Sequence, residues 1–490
     1  MRIPIERIPV KVYPDSGRVI ARFFFNGDER AKNIIKRVMM LADEEVFTTV
    51  SSLLQQFSKR HRNITKLFYK HCDKLRYLFD ELGIDYETVP GFRKLLIGSY
   101  FTNEYSIESA AFFNPSIIED PDQSDLEEGE KRLIISFRAV GEGHISSIVF
   151  RRALIDKNNN IKVLPAGNYV DEPEIVHNSQ YDKELFFSNA QAALIDQEVL
   201  REIEGQLEAT FEYPNLKQAV HQTKSLSNGQ HPREDDQYER VLWLSDSYYK
   251  ISFSLDTDIS DRVIFPYSDM ERKGIEDARF AKFTEENGKI TYYATYTAYD
   301  GSIIFPKLLK TTDFYNFDIR PLFGKGAQNK NLALFPRKIN DRYAMISRID
   351  GWNNYIMFSD KINVWENPTV LQSPAQPWEY VQIGNCGSPI ETEKGWLMIT
   401  HGVGPMRRYC LGASLLQLDN PSVEIGRLRE PLLVPSEDER EGYVPNVVYS
   451  CGSIISNGKL IIPYGLSDYS SSFASVDLNA LLDRLLNDSV

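Results

Sequence analysis

The sequence predicts a mainly β protein: a five-bladed β-propeller with an N-terminal helical extension, an inserted segment and a short C-terminal helix. Two observations predict it, a strand pattern that recurs five times and helical periodicity confined to the two ends and one internal stretch. The pattern is a turn, about five apolar or aromatic residues, then a polar residue close to a glycine. It reads KRLIISFRAVG (131–141), ITYYATYTAYDG (290–301), DRYAMISRIDG (341–351), KGWLMITHGVG (394–404) and NGKLIIPYGLSD (457–468). From Tyr299 onward the strand ends recur at roughly 50 to 60 residues, near the period of propeller blades. Blades arranged around an axis bring equivalent strands side by side, so their polar ends converge on one pocket. Those ends are Arg138, Tyr299 with Asp300, Arg348, His401, and Tyr464 with Asp468. The alternative is an ordinary sandwich with scattered polar strand ends.

Helical elements come next. Between about residues 28 and 83, Ile64, Leu67, Phe68, His71, Leu75, Leu78, Phe79 and Leu82 follow i, i+3, i+4 spacing, and Gly83 is placed as a stop. Val46, Val50, Leu53, Leu54 and Phe57 form a similar stripe before it. A second helical pattern runs from about Glu184 to Glu208, followed by the polar stretch QTKSLSNGQHPREDDQ. At the C-terminus Asp477 caps a helix whose apolar side carries Leu478, Leu481, Leu482, Leu485 and Leu486. The chain therefore divides into a helical extension (1–90), a propeller domain (91–476) interrupted by an insertion at about 157–243, and a C-terminal helix (477–490).

Composition narrows the function. Hydrophobic residues make up 42% of the 490, enough for a large core, and the aromatic 12% suits both β packing and the apolar faces of sugar rings. A formal charge of −13 argues against nucleic-acid or anionic-membrane partners. The four cysteines lie far apart with no C-x-x-C spacing, which argues against a disulfide framework or zinc site. The N-terminus has no apolar signal region, and no run of about 18 apolar residues occurs, so a cytoplasmic protein is expected. Nucleotide-binding glycine loops, H-E-x-x-H and G-x-S-x-G are missing from the sequence.

The sharpest string is GIEDARF (274–280), followed by YYATYTAYDG. Together with FFNPS (112–116), SFRAVGEG, NKNLALFPRKI, SRIDG, GWLMITHGVG and YGLSD, in that order, it resembles glycoside hydrolase family 130 over about residues 100–468. The resemblance implies a five-bladed propeller and an enzyme acting on β-mannosides. It implies Asp277 as general acid, its proton passing through a mannose hydroxyl. It implies a phosphate site at Lys330, Arg348, His401 and Tyr409, with Arg408 nearby, and sugar contacts at Asn114, Ser116, Arg138 and Asp468. Tyr299, Asp300 and Tyr464 are expected to complete the pocket wall. Taken alone, the same residues admit plainer readings: Glu276 and Asp277 as turn acids, Lys330 as a solvated lysine, Arg348 paired with Asp350, His401 as a core histidine.

Glycosidic cleavage needs a proton for the leaving oxygen and a nucleophile at the anomeric carbon. An inverting hydrolase must activate water and so needs a second carboxylate; phosphate arrives anionic and needs cations and donors instead. The positions matching the phosphate site carry cations or donors, which favours phosphorolysis. The expectation is inverting phosphorolysis of β-mannosides or manno-oligosaccharides to α-mannose 1-phosphate and a shortened acceptor. Inorganic phosphate is the co-substrate, with no metal or organic cofactor. Two alternatives stay open: an inverting β-mannosidase, and a non-catalytic glycan-binding propeller. The sequence departs from the family pattern at Ala278, where many relatives have proline, and in the run Asn385-Cys386-Gly387-Ser388-Pro389. The helical extension and insertion fall outside the resemblance and are natural contacts for a homo-oligomer.

Overall fold

A computed structural model describes residues 3–177, 180–193, 195–226, 232–301 and 303–487. All five recurring patterns form strands: Lys131–Val140, Ile290–Tyr299, Tyr343–Arg348, Gly395–Val403 and Lys459–Leu466. Each is the second strand of an antiparallel set. The first strands are Ala111–Glu119, Gly274–Thr284, Lys330–Leu334, Gln382–Asn385 and Val448–Tyr449. Gly395–Val403 is buried along its whole length rather than alternating, because sheets cover it on both faces. Phe283, Tyr293 and Leu308 of one set pack on Leu332, Leu334 and Met345 of the next. Phe335, Ile346 and Ile356 then pack on Trp396, Met398 and Leu416.

The chain's two ends share a sheet. Strand Ile5–Val12 runs antiparallel to Ser470–Asp477, from Ile5 opposite Val476 to Val12 opposite Ser471. Within the stretch read as a helical extension (1–90), Ile5–Val12 and Val19–Phe23 are strands that precede the helices, which begin at Asp28. The physical reason is burial, since Ile8, Val10 and Val12 pack against a core that includes Ile461 and Phe473.

The helices Asp28–Met40, Asp43–Phe57, Ile64–Asp73, Arg76–Glu81 and Gly91–Tyr100 enclose a core of their own, with Ile35, Val46, Phe68, Leu78 and Phe79 buried. Gly83 follows helix Arg76–Glu81 at φ +66°, a left-handed conformation that glycine adopts without strain. His61 and His71 are satisfied within this layer, by Glu104 at 2.8 Å and Thr102 at 2.7 Å. The helical pattern read at 184–208 is two helices, Lys183–Ala192 and Gln197–Glu204, and Asp196 caps the second by accepting from Glu198 N at 2.8 Å. The polar stretch that follows lies partly outside the described residues; helices Tyr213–Leu226 and Pro232–Asp246 flank that part. Strands Glu174–His177 and Tyr249–Ser252 tie this helical group to the sheet edge at Asn316–Pro321. At the C-terminus, Asp477 accepts from Ala480 N at 2.8 Å and opens helix Leu478–Asn487, which buries Leu481, Leu482 and Leu485. Leu486 lies exposed instead.

Buried glutamates anchor the turns that lead into the first strands. Glu271 accepts from Lys307 Nζ at 2.9 Å, Tyr296 Oη at 2.7 Å, Tyr249 Oη at 2.9 Å and Ser268 N at 3.1 Å. Glu379 accepts from Ala375 N at 2.9 Å and Arg427 at 2.7 Å, and Glu108 from Arg18 and Arg151, each at 2.8 Å. Glu439 accepts from Arg7 at 2.8 Å and from Tyr464 Oη at 2.7 Å. A buried carboxylate is tolerated only when so paired. Tyr464 is thus spent on the turn and is not a pocket-wall residue.

All four cysteines are free and buried. Among the described residues, no helix is long and apolar enough to cross a membrane, and no group of three or more His, Cys, Asp or Glu side chains could hold a metal ion.

Candidate active site

A cavity of about 350 Å³ opens where the first strands meet. Its wall is built at register breaks. Asn114 lies in the break between Phe113 and Ser116, Asp277 in that between Glu276 and Arg279, and Asn331 in that between Lys330 and Ala333. All three have left-handed backbones, with φ of +50°, +55° and +68°. A bulge re-aims a strand's side chain, and Asn and Asp are the non-glycine residues that tolerate this conformation best. The sequence therefore places the cavity's polar groups by the same residues that permit the bulges.

Asp277 accepts from Asn114 Nδ2 at 2.7 Å and lies 3.7 Å from Arg138 Nη1. Behind it, buried Arg279 donates to the Asp277 carbonyl at 2.8 Å and to Tyr449 Oη at 2.7 Å. Burial alone would favour the neutral acid, but Arg138, Arg279, Lys330 and the Asn114 amide together outweigh it. They hold the Asp277 carboxyl below the usual range. Glu276, one residue earlier, joins two cations: Arg138 Nη2 at 2.7 Å and Lys330 Nζ at 2.6 Å.

On the neighbouring wall Lys330 is the cross-strand partner of Arg348. Arg348 Nη1 donates to His401 Nε2 at 3.3 Å, and His401 Nδ1 lies 3.3 Å from the Asn385 carbonyl. Burial, reinforced by Arg348 and Arg279, pushes His401 well below its ordinary value, so the imidazole is neutral. The carbonyl at Nδ1 then assigns the proton to that nitrogen, leaving Nε2 to accept from Arg348. Tyr409 stacks on the His401 ring at 6.0 Å. Asn114 Oδ1, Arg138 Nε and Arg348 Nε are buried with no protein partner, leaving hydrogen-bonding capacity that hydroxyl or phosphate oxygens can meet.

Glycoside hydrolase family 130, whose model is described as beta-1,4-mannooligosaccharide phosphorylase, matches residues 238–487, just over half of the chain. The chain belongs to glycoside hydrolase family 130. It is an enzyme of the glycoside phosphorylase type. A 1,2-beta-oligomannan phosphorylase from a Thermoanaerobacter strain is 34% identical over 215 residues, spanning 41% of this chain and 67% of the relative. A beta-1,2-mannobiose phosphorylase from Listeria innocua is 29% identical over 257 residues, spanning 51% of this chain and 68% of the relative. A solved structure of beta-1,2-mannobiose phosphorylase from Listeria innocua, in complex with beta-1,2-mannobiose, aligns at 22% identity and a TM-score of 0.45. It covers 78% of this chain and 93% of that one.

Of the residues singled out from the sequence of this family 130 chain, Asp277, Lys330, Arg348, His401, Tyr409, Asn114, Arg138 and Asp468 line the cavity. Ser116, Tyr299 and Asp300 do not. Ser116 is buried behind the wall, its hydroxyl accepting from Phe280 N at 3.1 Å. Tyr299 donates to the Gly301 carbonyl at 2.8 Å, and Asp300 accepts from Ile303 N at 2.7 Å, so both are used in their own turn. Arg407, not Arg408, reaches the wall, from a turn in which Met406 and Arg407 are both left-handed. Sequence reasoning missed Glu276, Asn331, Gln382, Arg407 and Tyr449 as wall residues. The Asn or Asp that recurs in or just before the first strands, at Asn114, Asp277, Asn385 and Asn446, was the signal for Asn331.

Proposed function

We propose that the enzyme catalyses inverting phosphorolysis of β-mannosides, transferring mannose to inorganic phosphate with release of α-mannose 1-phosphate and a shortened acceptor. The observation that carries this reading is the pairing within one cavity of a buried carboxyl group, Asp277, with the cation and donor group Lys330, Arg348, His401 and Tyr409. In this mechanism the mannose ring sits against Asn114, Arg138 and Asp468, which can engage vicinal hydroxyls. Phosphate lies against Lys330 and Arg348 and attacks the anomeric carbon on the face opposite the leaving oxygen. Neutral His401 accepts from one Arg348 nitrogen and so orients the guanidinium; Tyr409 offers a hydroxyl. Asp277 supplies the proton through a sugar hydroxyl and accepts it back in the reverse direction. The displacement is single, so configuration inverts.

Water as nucleophile would require a free carboxylate base. Both Glu276 oxygens are occupied by Arg138 and Lys330, so Glu276 is not free to activate water, which favours phosphate. We further read the stacked antiparallel sets as blades of a five-bladed propeller closed by strand Ile5–Val12 on the last blade, the helices of 28–100 and the inserted group being additions to it.

The test is a synthesis-direction assay with α-mannose 1-phosphate and a panel of acceptor sugars, read as phosphate release and product structure. Acceptor-dependent release establishes phosphorolysis, and the product gives the linkage, on which the names of the relatives divide. Hydrolysis of β-mannosides in phosphate-free buffer, with no release in the assay, would replace this reading by a mannosidase.

A further inference from the structure

An in-line displacement fixes where the leaving sugar must sit: across the mannose ring from phosphate. In the reading above, on which this inference rests, phosphate lies at Lys330, Arg348 and His401. The leaving sugar therefore departs on the Arg138 and Asp468 side, and the loops on that rim decide what acceptor fits.

Two such loops meet there through their rings. The turn Glu142–His144 follows the strand that carries Arg138, and Tyr105 Oη fixes it by donating to the Glu142 carbonyl at 2.6 Å. The second loop carries Tyr443. Its neighbour Val444 lines the cavity and donates its N–H to the Ser467 carbonyl at 3.0 Å, directly before Asp468. The His144 and Tyr443 rings stack with centroids 5.7 Å apart and planes 30° from parallel. Tyr443 is nevertheless 68% exposed. A large ring held on one side by a neighbour and left open on the other presents a rigid apolar face at little entropic cost, and a pyranose offers C–H faces to match it.

We propose that Tyr443, backed by His144, is the acceptor-side platform on which the leaving sugar of a manno-oligosaccharide stacks. Trp352 supplies the contrast. It is also exposed, at 55%, but follows Arg348 in its turn and accepts from Ile383 N at 2.9 Å, which puts it on the phosphate side of the rim.

The experiment measures synthesis-direction kinetics of the full-length protein with α-mannose 1-phosphate and, separately, D-mannose, β-1,2-mannobiose and β-1,4-mannobiose as acceptors. Tyr443→Ala is expected to raise the KM of the accepted sugar roughly five- to tenfold, with the KM of α-mannose 1-phosphate held within about twofold. Tyr443→Phe, which keeps the ring face, and Trp352→Ala are expected to stay within about twofold of the parent on both substrates. His144→Ala should move the acceptor KM in the same direction by less, and serves as the second variant should Tyr443→Ala lower the melting temperature. An unchanged acceptor KM in both alanine variants overturns the platform, as does an equal rise in both KM values. A parent protein inactive with every acceptor overturns the phosphorylase reading and the platform with it, so the two failures are distinguishable.

Discussion

Asn114 donates its side-chain amide to Asp277 Oδ1 at 2.7 Å, joining the bulges of two first strands that lie 163 residues apart in sequence. The bond helps to hold the Asp277 carboxyl low, and it leaves the other carboxyl oxygen for substrate. Asn114→Ala should cut turnover by about ten- to a hundredfold, the range for a hydrogen bond to a charged group. In the synthesis direction, where Asp277 accepts the proton, it should also displace the acidic limb of the pH–rate profile to higher pH, because one of the forces stabilising the carboxylate is gone. A lowered rate with an unmoved profile would mean that Asn114 acts on the sugar alone.

Asp277→Asn is the sharpest test of the proton's source. Asparagine tolerates the left-handed backbone at φ +55° and keeps the side-chain shape, so the fold should persist. Turnover should fall by about 10²- to 10⁴-fold, the usual contribution of a general acid. Thermal melting checks the first expectation and single-turnover kinetics the second. Activity within a few-fold of the parent would exclude Asp277 from proton transfer.

Lys330 bridges to the acid pair through Glu276 at 2.6 Å and faces Arg348 across the strand pair, so its charge serves the phosphate side of the cavity. Lys330→Met leaves Glu276 paired with Arg138 and removes one cation. The KM for phosphate should rise about tenfold or more, while the KM for the β-mannoside stays within about twofold. Matched rises in both would assign Lys330 to the architecture of the cavity rather than to phosphate.

The strands were legible in the sequence because their apolar runs are bounded by turns. Arg348 and His401 could be read as converging because their strands end at the cavity. Tyr299 and Asp300 carry the same local pattern yet turn away, since the chain there spends both on its own reversal. The finer placement depends on bulges, and a one-residue register shift is a property of two paired strands, invisible in the alternation of either. Glu276 was opaque for a related reason: its partners Arg138 and Lys330 are 138 and 54 residues distant. One further regularity is legible in the sequence. Glu108, Glu271 and Glu379 each stand six residues before Asn114, Asp277 and Asn385, and Glu439 stands seven before Asn446. A buried carboxylate anchors the turn, and an Asn or Asp follows in or just before the first strand, left-handed at Asn114, Asp277 and Asn446. Strand Ile5–Val12 escapes a reading of the sequence because its partner lies at the far end of the chain.

Asp468 ties affinity and stability to pH in opposite senses. Burial, only partly offset by Arg138 and reinforced by Asp277, pushes its carboxyl up to about 6. The folded value lies above the unfolded one of about 3.9, so folding favours the protonated form. That stabilising contribution is complete below about pH 4 and is lost as pH rises through about 6. Asp468→Asn mimics the neutral acid. Its melting temperature relative to the parent should therefore climb between pH 4 and 7 and then level off. Substrate binding should run the other way, because the ionised carboxylate is the stronger acceptor for sugar hydroxyls. The parent's KM for a β-mannoside should fall as pH rises through about 6, whereas the variant's should be high throughout. Melting curves and KM values collected at pH 4, 5, 6 and 7 check both. A pH-independent difference in melting temperature would show that Asp468 titrates outside this window, and a parent-like KM in the variant would remove Asp468 from the sugar site.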